Sequence, residues 1–213
     1  MQSIDNVLRQ LTTTSAEQSQ KQISSERIDS LLQAKGYDKA VAGEDYDAVL
    51  RGVTKMVNDQ YNRGLLLVGN PGVGKTFLMK VLWRFPSKLE RFWVNCADME
   101  EVKRMLSTDT KYYKVIGSNQ WNSNFFIDDF GADTIKSEYG NRIDIVGSFI
   151  EAYHRKGRGR LIISTNLHSN KVRPEDNNGI LEIYGARILD RIREKTIVIP
   201  FKGQSKRKKE TVW

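Results

Sequence analysis

The sequence predicts an α/β domain in which a parallel sheet is covered by helices on both faces. From Asn62 onward, short apolar runs alternate with helical stretches, the pattern of strand, crossover helix and parallel strand. The runs are continuously apolar rather than alternating, as strands buried on both faces are. One of them, Leu65-Leu66-Leu67-Val68, leads straight into a glycine-rich segment that opens a helix.

At the N-terminus, Ile4, Val7, Leu8 and Leu11 fall at helical spacing, and residues 12–25 are polar, as a linker is. Ile28, Leu31 and Leu32 mark a short helix that stops near Gly36, and Tyr46, Val49, Leu50, Val53 and Val57 mark a longer amphipathic one. The expected strands are 65–68, 92–94, 125–127, 161–164 and 196–199. Lys206-Arg207-Lys208-Lys209 reads as part of a mobile basic tail.

The chain of 213 residues is the size of one domain with a short appendage. Lys+Arg 34 against Asp+Glu 26 gives a net charge of +8, which favours polyanionic partners such as nucleic acid. A single cysteine, Cys96, excludes an internal disulfide and a cysteine-based zinc cluster. The start, Met1-Gln2-Ser3-Ile4-Asp5, lacks the basic and apolar regions of a signal peptide, and no apolar run approaches the roughly 18 residues of a membrane helix. These features predict a cytoplasmic protein with no membrane contact.

Gly69-Asn70-Pro71-Gly72-Val73-Gly74-Lys75-Thr76 satisfies the P-loop pattern between a strand and a helix, which predicts binding of ATP with Mg²⁺. Its backbone N–H groups turn inward around phosphate oxygens, and the helix that follows points its positive end at the same anion. Lys75 is expected at the β- and γ-phosphates and the Thr76 hydroxyl at Mg²⁺. Phe125-Phe126-Ile127-Asp128-Asp129 is a buried strand delivering two carboxylates to the sheet's C-terminal edge, where ligands sit in open α/β sheets. There Asp128 is expected in the Mg²⁺ shell, through water, and Asp129 beside the attacking water, although an Asp pair before Gly131 also suits a loop cap. Leu161-Ile162-Ile163-Ser164-Thr165-Asn166 is a third buried strand whose terminal amide is placed to bridge the water and the γ-phosphate, or to serve as an ordinary turn former. Gly185-Ala186-Arg187-Ile188-Leu189-Asp190-Arg191 puts two arginines on one helical face. They are available either to a terminal phosphate or to helix salt bridges with Asp190 or Glu194.

Taken in order, the segments 69–76, 125–131, 162–167, 184–191 and 201–207 resemble the DnaC/DnaI-type helicase loaders, whose relatives include the IstB-type transposition ATPases. The Asp-Asp-Phe-Gly segment, Ser-Thr-Asn-Leu and the late Tyr-Gly-x-Arg-x-x-x-Arg box carry the resemblance. It implies an AAA+ fold with a five-stranded parallel sheet of order 5-1-4-3-2, ATP hydrolysis at subunit interfaces, and assembly of a homo-oligomeric ring or spiral. It also implies that Asn166 is sensor 1 and that Arg191 is the arginine finger acting in trans, with Arg187 the runner-up. The implied division is a helical N-terminal region at 1–59, an ATPase domain at 60–201 and a basic tail at 202–213. Two departures stand out: Asp129 occupies a position where many AAA+ proteins carry glutamate, and little chain follows Pro200 to form a C-terminal lid with its sensor-2 arginine.

Lys103, Arg104, Lys111, Tyr112, Tyr113 and Lys114 mix positive charge with aromatic faces, a combination that neutralises phosphates and stacks bases of single-stranded DNA. The same residues also suit a solvated helix with tyrosines on a core. Arg155-Lys156-Gly157-Arg158-Gly159-Arg160 precedes a strand, so it is expected on the edge away from the nucleotide as a charged turn or a DNA contact. Lys202, Lys206, Arg207, Lys208 and Lys209 are expected to add salt-sensitive DNA affinity. The resemblance implies a replicative DnaB-type helicase and single-stranded DNA as partners, with the Ile4/Val7/Leu8/Leu11 face either docking the helicase or packing on its own core. The alternative is an IstB-like regulator that delivers a transposase to duplex DNA. A GTPase is disfavoured, because Asn170-Lys171-Val172-Arg173 has arginine where a guanine reader needs an acid.

Overall fold

The computed structural model describes residues 22–85, 96–98, 124–131, 136–138, 141–143, 145–167 and 179–207. The chain opens with helix α1 (Ser25–Ala34), whose N-cap Ser24 accepts from the Arg27 N–H. Helix α2 (Lys39–Ala42) follows, capped by Asp38, and runs through a 3₁₀ turn (Gly43–Asp45) into α3 (Tyr46–Val57). Strand β1 (Gly64–Val68) and helix α4 (Lys75–Trp83) come next. The rest comprises β2 (Cys96–Asp98), β3 (Asn124–Phe130), β4 (Lys136–Glu138), β5 (Asn141–Ile143), α5 (Ile145–Lys156), β6 (Leu161–Thr165), α6 (Ile180–Lys195) and β7 (Thr196–Pro200).

Five strands form one sheet in the order β2-β3-β6-β1-β7, and every pairing is parallel. Counted along the chain within this sheet and read from the β7 edge, that order is 5-1-4-3-2. The second strand lies at Cys96–Asp98, later than the expected 92–94, which fall outside the described residues. The two-stranded antiparallel β4–β5 ribbon is not expected from the sequence; of its three residues on each side only Ile143 is apolar, which gives no apolar run to read.

Side chains of successive strand residues pass to opposite faces, and the core divides accordingly. Leu65, Leu67, Phe126, Ile162 and Ile199 face α1, α3 and α4, while Leu66, Phe125, Ile127, Leu161 and Ile163 face α5 and α6. All ten are at most 5% exposed, and each contributes about 1.5–3 kcal/mol of burial. The helices before β1 belong to the first of these clusters through Ile28, Leu32, Val49, Val53 and Met56, so the described part of the N-terminal region packs on the sheet.

Residues 157–160 form the turn expected before β6, with Arg155, Lys156 and Arg158 exposed, but Arg160 departs from that pattern. Arg160 is 2% exposed, and its guanidinium donates to the carbonyls of Arg63 (2.7 Å) and Asp59 (3.5 Å). Its backbone N–H donates to Asn124 Oδ1 at 2.7 Å. One residue of an apparent charged turn thus ties the start of β1 to β3 and β6. Desolvation lowers its pKa to about 10, with Asp59 pulling in the opposite direction. Among the described residues no helix is long and apolar enough to cross a membrane.

Candidate nucleotide site

The site is assembled at the C-terminal ends of β1, β3 and β6, around the loop 69–74 and the start of α4. The N-cap of α4 is Gly74, at φ 108°, with no side-chain cap. The first N–H groups of this helix therefore have no side-chain acceptor at the cap and are directed at any anion held by the loop. A cavity of about 440 Å³ opens here, lined by Gly72, Lys75, Thr76, Asp129, Asn166 and Arg207 among others.

Lys75 is only 5% exposed, and its Nζ donates to the carbonyls of Gly69 (2.7 Å) and Asn70 (2.9 Å) and to Asn166 Oδ1 (2.7 Å). Burial pulls its pKa below the ordinary lysine range, while Asp129 and Asp128 pull it back up and Arg207 adds to the depression. A cation in this position gains most from an anionic ligand, because phosphate oxygens supply the compensation that carbonyl dipoles supply only in part. Thr76 Oγ1 donates to Asp128 Oδ1 at 3.0 Å. A hydroxyl and a carboxylate joined this closely suit a hard cation that keeps some of its waters, so the residues present fit Mg²⁺.

Asp128 and Asp129 leave the core together: in β3 the residues Asn124 to Ile127 are buried and the two acids exposed. Asp129 adopts φ 48°, in the left-handed region. The sequence reading passed over Ser164, whose buried hydroxyl donates to Asp128 and accepts from the Asp129 N–H (2.9 Å). A serine inside an apolar strand was the available signal.

The sequence reading also misplaced the segment after β7. Of the basic tail expected at 202–213, residues 202–207 instead continue from Phe201 across the P-loop. The Phe201 N–H donates to Val68 O (2.7 Å) and the Lys206 N–H to Gly72 O (2.9 Å). The buried Asp45 carboxylate receives the N–H groups of Lys202 (2.7 Å) and Gly203 (3.1 Å), and Lys206 Nζ donates to the Val41 carbonyl. The contact is close: a Cβ on Gly69 would come 2.6 Å from Phe201 O. Lys206 and Arg207 thereby line the nucleotide cavity, in a chain where a sensor-2 cation had no expected position. Lys208 and Lys209 lie outside the described residues.

Arg187 and Arg191 stand elsewhere. Both lie on α6 after a break at Gly185 (φ 80°, ψ 166°), and both approach Glu151 Oε1 of α5, at 3.0 Å and 2.9 Å. The Arg191 approach is an ion pair without hydrogen-bond alignment. Arg187 is 68% exposed at its side chain and Arg191 16%. The acid they use is Glu151, on a neighbouring helix, rather than Asp190 or Glu194 on their own; Glu194 is held by His154 at 2.7 Å. The DNA-contact candidates Lys103, Arg104, Lys111, Tyr112, Tyr113 and Lys114, and the Ile4/Val7/Leu8/Leu11 face, lie outside the described residues.

A parallel sheet whose first strand feeds a phosphate loop, with a buried lysine, a hydroxyl–carboxylate pair and a strand-end asparagine converging on it, defines a P-loop NTPase. The profile of the Novel STAND NTPase 3 family matches residues 55–210, and the chain belongs to that family. A comparison of the sequence with curated proteins finds no match. Among solved structures, the DnaC helicase loader superposes with a TM-score of 0.54 at 20% identity, covering 75% of this chain and 92% of that one. DnaI superposes with a TM-score of 0.51 at 17% identity, covering 80% and 94%. The replication initiator DnaA, bound to AMPPCP and single-stranded DNA, superposes with a TM-score of 0.55 at 14% identity, covering 77% of this chain and 48% of that one. At these identities the shared feature is the fold, that of a DnaC-like P-loop protein.

Proposed function

We propose that this protein is an AAA+ ATPase of the helicase-loader type, which hydrolyses ATP with Mg²⁺ at the interfaces of a homo-oligomer while engaging a replicative helicase and single-stranded DNA in the cytoplasm. The observation that carries the ATPase reading is the convergence of Lys75, Thr76, Asp129 and Asn166 on one cavity, with Asp128 bonded to Thr76 beside it, from segments up to 91 residues apart in sequence. In this reading Lys75 exchanges its carbonyl partners for β- and γ-phosphate oxygens. Thr76, and Asp128 through water, would hold Mg²⁺, whose charge would offset that of the phosphates. Asp129 accepts a proton from the attacking water as its oxygen bonds to the γ-phosphorus and the bond to the β–γ bridging oxygen breaks, giving ADP and phosphate. Asn166 orients that water, and Arg191 or Arg187 serves the site of a neighbouring subunit. The fold shared with DnaC and DnaI supports the loader assignment.

The deciding experiment retains the tagged protein against its host's DnaB-type helicase with ATP, ADP or no nucleotide, alongside phosphate release by the protein and by Lys75→Ala. The expected outcome is nucleotide-dependent helicase retention and hydrolysis, both lost in Lys75→Ala. Hydrolysis with duplex-DNA binding and no helicase retention in any state would replace the loader reading with the IstB-like one. Absence of hydrolysis would remove the ATPase reading.

A further inference from the structure

β3 and β6 pair in register up to Ile127 opposite Ile163, and resume at Phe130 opposite Thr165. Asp128 and Asp129 therefore face a single residue, Ser164, in a β-bulge that inserts one residue into β3 and bends it. A bulge leaves ladder groups unpaired, and here a side chain takes them up. The Ser164 hydroxyl donates to Asp128 Oδ1 and accepts from the Asp129 N–H at 2.9 Å. Asp128 Oδ1 also receives Thr76 Oγ1 at 3.0 Å and the Asp129 N–H at 3.1 Å. Ser164 is 0% exposed, so no water substitutes for it. Asp129 stands at φ 48°, a left-handed conformation that is strained for an L-residue other than glycine and persists where the surroundings fix it.

We propose that Ser164 is a positioning residue for the metal and the reacting water. It commits one oxygen of Asp128 to protein donors, leaving the other for the hydration shell of Mg²⁺, and it holds the Asp129 peptide in the turn that brings its carboxylate into the cavity. The inference rests on the reading of Asp128 and Asp129 as the metal- and water-handling pair. Ser164 touches neither the metal nor the nucleotide; it acts through the bulge. Its removal therefore affects Mg²⁺-dependent steps and spares the phosphate contacts made by the loop and Lys75.

The test titrates a fluorescent ATP analogue into the full-length protein, in EDTA and over a range of Mg²⁺, with single-turnover hydrolysis and a thermal melt for each variant. Ser164→Ala is expected to bind nucleotide in EDTA within about twofold of wild type. It should need about 10- to 100-fold more Mg²⁺ for half-maximal effect and hydrolyse more slowly by a similar factor. Ser164→Thr, which restores the hydroxyl, should recover most of both. In an Asp128→Asn background, Ser164→Ala should add no further shift in Mg²⁺ dependence. An unchanged Mg²⁺ midpoint in Ser164→Ala, equal losses with and without Mg²⁺, or a full additional shift on top of Asp128→Asn would each overturn the proposal. Wild-type binding that is indifferent to both Mg²⁺ and Asp128→Asn would instead sink the reading of the carboxylate pair, and the positioning role with it.

Discussion

Arg207 and Arg160 show how far a residue's role can lie from its sequence neighbourhood. Arg207 sits in a run of four basic residues that reads as a solvated tail, yet it lines the phosphate cavity and its charge is felt by Lys75. Arg207→Ala is expected to weaken ATP binding about tenfold, or ~1.4 kcal/mol, in an equilibrium titration. Lys202→Ala should leave it unchanged, because only the backbone of Lys202 is used, by Asp45. Arg160→Met should lower stability by roughly 1–3 kcal/mol in urea unfolding, because two half-buried carbonyls lose their donor. The P-loop, Asp128 and Asn166 were legible because each is a local pattern with its chemistry written in consecutive residues. Ser164, Arg160 and Arg207 were not, because the groups they act on lie between 35 and 132 residues away and only the folded sheet brings them together.

At the scale of elements, four of the five sheet strands were readable from apolar runs, since burial on both faces leaves little polar sequence inside them. Cys96–Asp98 carries no such run, so β2 was displaced toward the more apolar 92–94. The break in α6 shows what its glycine is for: at φ 80°, with open space around it, Gly185 lets the chain change direction before the turn that carries Arg187 and Arg191. Gly185→Ala should cost about 1–2 kcal/mol, purely from backbone conformation, with Gly185→Asn costing less. Gly64 is constrained by packing instead, since a Cβ there would come 1.9 Å from Leu161 O. Gly64→Ala is expected to break the β1–β6 register, giving loss of soluble protein or of a cooperative thermal transition.

For the whole molecule, the site of a single chain contains a cation from the segment after β7 but not the arginines of α6, which are paired with Glu151. If Arg191 completes a neighbour's site, Arg191→Ala and Lys75→Ala should each lose about 10³-fold or more in hydrolysis, and mixing the two inactive proteins should restore part of the activity. No recovery on mixing, at concentrations where the subunits associate, would count against action in trans. The placement of β1 also bears on how the protein is made. This strand holds the P-loop, and its partners β6 and β7 are synthesised long after it, the last beginning at Thr196. At ordinary translation rates, roughly 6–26 s separates the appearance of β1 from that of β7. Until β6 follows at Leu161, Gly64-Leu65-Leu66-Leu67-Val68 has neither of its partner strands, so the nascent chain carries an unpaired apolar segment and its phosphate loop together on the ribosome, and a chaperone that shields the one also shields the other.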